Sequence, residues 1–120
     1  AAGDLASMAA TRAMGEALVE RFPTLDVLVH NAGVFMNERV STEDGLEQTM
    51  AVNHFAPFVL TRALRASVVA ARGRVLTVSS VAHARGRLDL ADLALVGRTP
   101  WSGYDAYAAS KLANVVFARA

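Results

Sequence analysis

Tyr107 and Lys111, near the C-terminal end of the chain, are spaced for acid–base chemistry. Residues four apart on a helix lie one turn from each other on the same face. A phenol alone titrates near pH ~10, and an ammonium group beside it favours the phenolate. The pair could therefore act as a general acid or base near neutral pH, and Lys111 is the only lysine of the sequence. A chance pair on a solvated helix face would have the same spacing.

The amino-acid composition of the chain excludes several classes of function. The chain has 120 residues, of which 53% are hydrophobic and 19% charged, as in one soluble globular domain. A net charge of +1 with dispersed arginines argues against a nucleic-acid partner. Cysteine is absent, which excludes disulfides and thiolate chemistry. The three histidines show no metal-ligand spacing, so we expect no metal site (His30, His54, His83).

Neither a membrane span nor a signal peptide is predicted. No apolar run reaches the roughly 18 residues that a span needs, and the first residues lack a basic start with an apolar run. We therefore expect a cytoplasmic protein. The chain begins without methionine and closes within a predicted helix, so residues 1–120 are interpreted as a central segment that is truncated at both ends.

The first half of the chain predicts a helix and a strand. Ser7 can cap a helix that runs to about Phe22 and is ended by Pro23. The β-branched run Val27–His30 predicts a buried parallel strand, and the small residues Asn31, Ala32 and Gly33 end it in a turn.

The remaining sequence alternates between helix and strand. The predicted elements are a helix from Glu43 to Ala71 that starts in Ser41–Asp44 and is stopped by Gly73, a buried strand Arg74–Ser79, a long connection Val81–Gly103, and a last helix from near Tyr104. A connection of that length is more often a functional loop than a spacer. The alternation is typical of an α/β protein with a doubly wound parallel sheet, a Rossmann fold.

Ligands of such sheets bind beyond the carboxyl ends of the strands, where the turn at Gly33 and the pair Ser79-Ser80 lie. Small residues there let a cofactor approach the backbone, and a serine hydroxyl can hydrogen-bond a substrate carbonyl. Alternatively, Gly33 is only a turn glycine and Ser80 only bonds the backbone at the strand end.

Pro57 lies inside the long predicted helix and cannot donate to the carbonyl of Asn53, four residues earlier. We expect a kink there, with the freed carbonyl bound most simply by a water that could serve as a proton relay. The alternative is a proline-kinked core helix with a polar residue at its bend.

Together these motifs resemble the short-chain dehydrogenase/reductase family. Its motif order is matched by Asp4-Leu5, Asn31-Ala32-Gly33, Asn53, Ser80 and Tyr107-x-x-x-Lys111. The sequence is similar to the retinol-dehydrogenase-like branch in Thr42-Glu43-Asp44-Gly45, Val52-Asn53-His54, Leu60-Thr61 and Ser79-Ser80-Val81-Ala82-His83. The long connection between Ser80 and Tyr107 also resembles that branch.

The resemblance implies a reaction and residue roles. It implies an enzyme that interconverts a small-molecule alcohol with a ketone or aldehyde, with NAD or NADP as the hydride carrier. Tyr107 would be the general acid or base, Lys111 would support the phenolate and bind the nicotinamide ribose, Ser80 would polarise the carbonyl, and Asn53 would hold the relay water. The resemblance also implies that several residues bind the cofactor: Asp4, which would contact the adenine, Leu5, the lining residues Asn31, Ala32 and Gly33, and the pair Tyr107 and Lys111.

The chain departs from the family in three places. His30 stands where a second asparagine is frequent, and Ala56-Pro57 where Gly-His is. More seriously, no G-x-x-x-G-x-G turn for the cofactor pyrophosphate occurs. We therefore expect the 120 residues alone to bind dinucleotide poorly and to be inactive.

Two other functions stay open: a non-catalytic Rossmann-like remnant that acts as a binding or interaction module, and a nucleotide-sugar epimerase or dehydratase, which also uses Tyr-x-x-x-Lys.

A homo-oligomer is a further expectation, because two helices carry alanine-rich faces that permit close approach (Ala63, Ala66, Ala70; Ala106, Ala109, Ala113). Intramolecular packing would explain these faces equally well. Trp101 is expected either to border the substrate pocket or to anchor the loop.

Overall fold

A computed structural model describes residues 2–120. Helices and strands alternate along the chain, as predicted. In order they are α1 (Met8–Arg21), β1 (Val27–His30), α2 (Gln48–Met50), a π-helical segment (Ala51–Phe55), α3 (Ala56–Ala70), β2 (Arg74–Thr77), a 3-10 helix (Val81–Arg85) and α4 (Gly103–Phe117). No helix in this range is long and apolar enough to cross a bilayer.

The two strands pair in parallel, in a register from Val27 opposite Arg74 to His30 opposite Thr77. The predicted burial of these strands is wrong for one face of the sheet. Val29 and Leu76 are 53% and 47% exposed. Side chains alternate between the two faces of a strand, and α3 covers only the face that carries His30.

Helix α1 begins where the sequence predicts. The Ser7 hydroxyl caps it by accepting a hydrogen bond from the Ala10 N–H at 3.3 Å. Its Gly15 packs against α3 so closely that a Cβ at that position would lie 2.9 Å from the Ala63 Cβ. The predicted helix boundary near Phe22 is confirmed, because Phe22 is the C-cap.

The predicted start of the second helix at Ser41–Asp44 is wrong. The Asp44 carboxylate accepts from the Met8 N–H at 2.8 Å and the Glu43 carboxylate accepts from the Ser7 hydroxyl, so both acids bind the N-terminus of α1. Gly45 turns the chain with a φ of 74°. The helix starts at Gln48 instead, where the Glu47 side chain accepts from the Met50 N–H.

The end of α3 near Gly73 is confirmed, but the residue in the left-handed conformation is Arg72, with φ 51°. Gly73 is needed for a different reason. Its N–H donates to the Val68 carbonyl at 2.8 Å, and a Cβ there would lie 2.3 Å from the Leu25 carbonyl oxygen. Only glycine allows the chain to enter β2 this close to the segment before β1.

The predicted second strand ends two residues early, at Thr77, because Ser80 is the N-cap of the 3-10 helix. Helix α4 starts at Gly103 with Ser102 as its cap. One alanine-rich face of α4 is buried within the chain, in a cluster formed by Met50, Leu95, Ala106, Ala109 and Ala113. Trp101 packs against this cluster and anchors the loop before α4.

Candidate active site

Tyr107 and Lys111 lie together on one face of α4. The Lys111 Nζ is 5.4 Å from the centre of the Tyr107 ring. Lys111 is 4% exposed and its ammonium donates to the Val78 carbonyl at 3.1 Å, just beyond the end of β2. Tyr107 is half-buried against Phe35, with 5.5 Å between ring centres. The predicted pair is therefore brought to the edge where the strands end.

Hydrogen bonds fix α4 at this edge. The Ser79 hydroxyl donates to the Lys111 carbonyl at 2.8 Å, which joins the end of β2 to the backbone of α4. Within the helix, the Ser110 hydroxyl donates to the Tyr107 carbonyl at 2.7 Å. Both contacts are accepted by main-chain carbonyls of α4 and use neither the Tyr107 ring nor the Lys111 ammonium.

The Asn53 side chain connects the turn after β1 to α4, the helix that carries Tyr107 and Lys111. The Asn53 side chain accepts from the Val34 N–H at 2.7 Å and donates to the Val34 carbonyl at 2.9 Å and to the Ser110 hydroxyl at 3.0 Å. A Cβ on Gly33 would lie 3.3 Å from the Asn53 Oδ1 and 3.5 Å from the Lys111 Nζ. The strand-end turn, the π segment and α4 thus converge on one point.

The kink expected at Pro57 takes the form of the π segment, which directly precedes α3 and contains Asn53. The donor to the Asn53 carbonyl was expected to be a water, but it is the Asn114 side chain, whose Nδ2 donates at 2.9 Å. A carbonyl oxygen can accept a second donor, so a water remains compatible with this contact. Sequence reasoning missed Asn114, although its position three residues after Lys111, within an apolar run, was a signal.

Ser80 has the backbone contact that was considered as the alternative to a substrate role. Its hydroxyl oxygen accepts from the Ala82 N–H at 3.2 Å and caps the 3-10 helix. Its carbonyl contacts the His83 Nδ1 at 2.6 Å. An accepted bond leaves the hydroxyl hydrogen available for donation, so both roles are compatible.

Asp4 and Leu5 lie just before α1, and the contacts of Asp4 are made there. The Asp4 carboxylate accepts from the Ala6 N–H at 2.9 Å and its carbonyl from the Ser7 N–H at 3.2 Å. Leu5 packs against the buried cluster of Met8, Ala51 and Ala56, in which Ala51 begins the π segment. The Asp4 contacts are near the N-terminus of α1, and none within residues 2–120 joins Asp4 to the turn at Gly33.

Two buried histidines flank the site. The His30 Nε2 contacts the Thr61 hydroxyl at 2.6 Å, and burial lowers the His30 pKa below its ordinary value of 6.5. Burial also lowers the pKa of His54, against a smaller raising effect from its hydrogen bond to Asn114. Burial therefore favours the neutral form of both imidazoles.

The residues at this edge fit the nicotinamide half of a dinucleotide. An ammonium group has three N–H donors, and the Lys111 Nζ uses one of them on Val78, which leaves donors for ribose hydroxyls. Asn31, Ala32 and Gly33 are exposed, and Gly33 leaves a gap beside the Lys111 ammonium where other residues would place a Cβ.

Comparison with known proteins identifies the family to which this chain belongs. A family model described as "short chain dehydrogenase" matches residues 1–91, which end before Tyr107. Dehydrogenase/reductase SDR family member 13 from Bos taurus is 46% identical over 97% of this chain and 30% of its own length. Retinol dehydrogenase 14 from Mus musculus is 38% identical over 97% of this chain and 34% of its own length. The chain thus spans about a third of these curated relatives.

Solved structures agree with the fold. A protein from Mycobacterium Paratuberculosis superposes with a TM-score of 0.80 at 37% identity, over 95% of this chain and 40% of that one. A blue fluorescent protein from a metagenomic library, solved in complex with NADPH, gives a TM-score of 0.67 at 33% identity, over 96% and 42% of the two chains. The fold is that of part of a doubly wound Rossmann domain, and the cofactor of the family is NAD or NADP. The chain belongs to the short-chain dehydrogenase/reductase family and is retinol-dehydrogenase-like.

Proposed function

We propose that the protein carrying this chain interconverts an alcohol with a ketone or aldehyde, with NAD or NADP as its cofactor. The observation that carries the proposal is the placement of Tyr107 beside a buried, hydrogen-bonded Lys111 at the edge where β1 and β2 end. Ammonium groups are rarely buried without a partner charge, and here the ammonium faces a phenol ring. That arrangement suits a tyrosine that exchanges a proton with a substrate oxygen.

Each residue has a defined task in this proposal. Tyr107 donates its hydroxyl proton to the carbonyl oxygen in reduction, or accepts the alcohol proton in oxidation. Lys111 favours the phenolate electrostatically and binds the ribose. The Ser80 hydroxyl donates to the substrate oxygen and orients it. Asn53 holds a relay water at its carbonyl, beside the bond from Asn114.

The cofactor supplies or accepts the hydride when bound. Asn31, Ala32 and Gly33 would line its nicotinamide half, where their backbone is exposed. Asp4 and Leu5 would lie at its adenine half, beside the start of α1, where the Asp4 contacts are made.

We propose further that residues 1–120 are the central segment of a single NAD(P)-binding domain. The chain spans 30% to 34% of the two relatives above, and a sheet of two strands is marginal on its own. The isolated chain should therefore bind dinucleotide poorly. The mass of the polypeptide in its source cell tests this: a mass well above that of 120 residues is expected, and saturable NADPH binding by the chain alone would count against it.

The test of the activity is hydride transfer by the natural protein. Retinol is the first alcohol to try, because the mouse relative is named a retinol dehydrogenase. A change in nicotinamide absorbance with formation of the matching carbonyl product is expected. Epimerised or dehydrated product would indicate a nucleotide-sugar enzyme. Absence of turnover across alcohols and carbonyls, in a protein that binds NAD(P), would favour the interaction module.

Cytoplasmic location and homo-oligomerisation stay proposals. The exposed alanines Ala66 and Ala70 on α3 leave part of one small-residue face available for a second copy, whereas the α4 alanines are buried in the chain. Cell fractionation and sedimentation of the natural protein test the two expectations.

A further inference from the structure

Asn114 links the π segment to the helix that carries the catalytic pair. Its Nδ2 donates to the Asn53 carbonyl at 2.9 Å, which Pro57 cannot reach with a helical bond. Both asparagines are buried, at 1% and 3% exposure for Asn53 and Asn114. A buried carbonyl without a donor costs about 1–3 kcal/mol, so this contact is one that the fold must satisfy.

His54 fixes the orientation of the Asn114 amide. The His54 Nδ1 lies 3.1 Å from the Asn114 Oδ1. Because the Asn114 Nδ2 faces a carbonyl, its Oδ1 is the atom that faces the imidazole, and the His54 Nδ1 therefore carries the hydrogen. The imidazole is itself held between the rings of Phe55 and Phe117, at 5.5 and 6.1 Å.

The position of Asn53 matters for the catalytic edge. Its side chain holds both polar groups of the Val34 backbone and the Ser110 hydroxyl. Its Oδ1 and the Lys111 Nζ both lie within about 3.5 Å of the point where a Gly33 Cβ would be. A shift of Asn53 would thus move the strand-end turn relative to Lys111.

We propose that Asn114 is a positioning residue that sets Asn53, and through it the Gly33–Val34 turn, relative to Lys111, with His54 orienting the Asn114 amide. This inference rests on the proposed function. Asn114 and His54 would contribute to catalysis without contacting substrate or cofactor. The hydrogen bond from Asn114 to the Asn53 carbonyl would then position Asn53 as well as satisfy a buried polar group. Misplacement by about 1 Å at a remote residue can reduce turnover by up to ~100-fold.

The test uses Asn114→Ala and His54→Phe in the natural protein. Asn114→Ala removes both hydrogen bonds of the Asn114 amide, to the Asn53 carbonyl and to His54. His54→Phe keeps the Asn114 donor to the Asn53 carbonyl and removes only the imidazole that orients the Asn114 amide. We expect kcat to fall about tenfold in Asn114→Ala and about threefold in His54→Phe, with the substrate KM changed less than threefold. The double variant should be no slower than Asn114→Ala, because both changes act through one contact.

A structural readout accompanies the kinetics. Amide hydrogen exchange of Val34, whose N–H is bound by Asn53, should accelerate about tenfold in Asn114→Ala. Val68→Ala is the matched control: it opens a cavity in α3 away from the site, so it should lower the melting temperature without changing kcat or Val34 exchange.

Unchanged kcat and unchanged Val34 exchange in Asn114→Ala, or strictly additive losses in the double variant, would overturn the positioning role. If Asn114→Ala does not fold, His54→Phe decides: kcat and Val34 exchange equal to wild type would refute the proposal. Failure of the proposed function is a separate result, because there Tyr107→Phe would keep full activity whatever Asn114 does.

Discussion

The two adjacent serines after β2 differ in what their hydroxyl groups bind. The Ser79 hydroxyl donates to the Lys111 carbonyl, so its hydrogen is already used in anchoring α4. The Ser80 hydroxyl accepts from the Ala82 N–H, so its hydrogen is available for a substrate oxygen. Of the two, Ser80 is the residue suited to contact a substrate, and Ser79 is a structural anchor.

This difference predicts different kinetic effects of the same substitution. Ser80→Ala should lower kcat/KM by about 100-fold, as the loss of one donor to a reacting oxygen does, and should also destabilise folding by about 1 kcal/mol, because the hydroxyl caps the 3-10 helix. Ser79→Ala should destabilise folding by about 1 kcal/mol while most activity remains. Steady-state kinetics and urea unfolding of both variants check this. Equal kinetic effects of the two substitutions would contradict it.

At the level of residues, the sequence predicts contacts between residues that are close along the chain and misses contacts between residues that are far apart in it. Tyr107 and Lys111 follow from a spacing of one helical turn. Asn114 does not follow, because its partner Asn53 lies in another helix and contacts it only after the fold forms. For the same reason only a water was expected at the Asn53 carbonyl, and the Asn114 donor, sixty-one residues away, was not.

The 3-10 helix, which Ser80 caps, packs directly against α4, the helix that carries Tyr107. The chain leaves the 3-10 helix at Gly86, directly against α4, where a Cβ would lie 2.4 Å from the Ala108 carbonyl oxygen and 2.8 Å from the Leu112 Cβ. Gly86 has an ordinary φ of −64°, so the reason for glycine there is close packing.

Gly86→Ala should therefore push the 3-10 helix away from α4. We expect a loss of about 2 kcal/mol in the free energy of unfolding, as for other overpacked sites, together with reduced kcat. Gly97→Ala is the control, because its Cβ would meet only the Asp92 carboxylate at an ordinary 3.4 Å. Denaturant unfolding of both variants measures the effect. A Gly86→Ala protein as stable as Gly97→Ala would show that the packing is not restrictive.

Element types were predictable from the sequence, and some boundaries were not. Ser7 caps α1 as expected, because a serine before an apolar-periodic run is a local signal. Glu43 and Asp44 were expected to open the next helix, but their carboxylates bind the N-terminus of α1, thirty-six residues earlier. A tertiary contact therefore overrides a local capping signal.

The whole molecule should lose stability in mild acid. His30 and His54 have pKa values lowered by burial, so the folded state binds fewer protons than the unfolded state just below the ordinary value of 6.5. The free energy of unfolding should be level above about pH 7.5 and decrease from about pH 6.5 downward, by up to ~1.4 kcal/mol per pH unit for each histidine.

Unfolding of the natural protein between pH 7.5 and 5.5 measures this dependence. The His30→Asn variant should retain the Thr61 contact with a group that does not titrate, and should show a shallower decrease. A level profile in the parent protein, or an unchanged slope in His30→Asn, would contradict the assignment.

At the scale of the molecule, the sequence predicted two parallel strands and an α/β order, both of which the structure confirms. It did not predict that one face of the sheet is exposed. A run such as Val27–Val29 is apolar at successive positions, so its composition resembles that of a strand covered on both faces. Which faces are covered depends on the other elements present, and within residues 2–120 only the α3 side is covered.

The central claim is that Tyr107 exchanges the proton in an oxidoreduction. The most direct measurement is kcat of Tyr107→Phe in the natural protein, with Tyr104→Phe as the control. Tyr104 lies on the same helix but is exposed and has no place in the proposed chemistry. We expect kcat to fall at least ~1,000-fold in Tyr107→Phe, with cofactor binding retained, and to stay within twofold in Tyr104→Phe. Comparable activity of Tyr107→Phe and wild type would contradict the account.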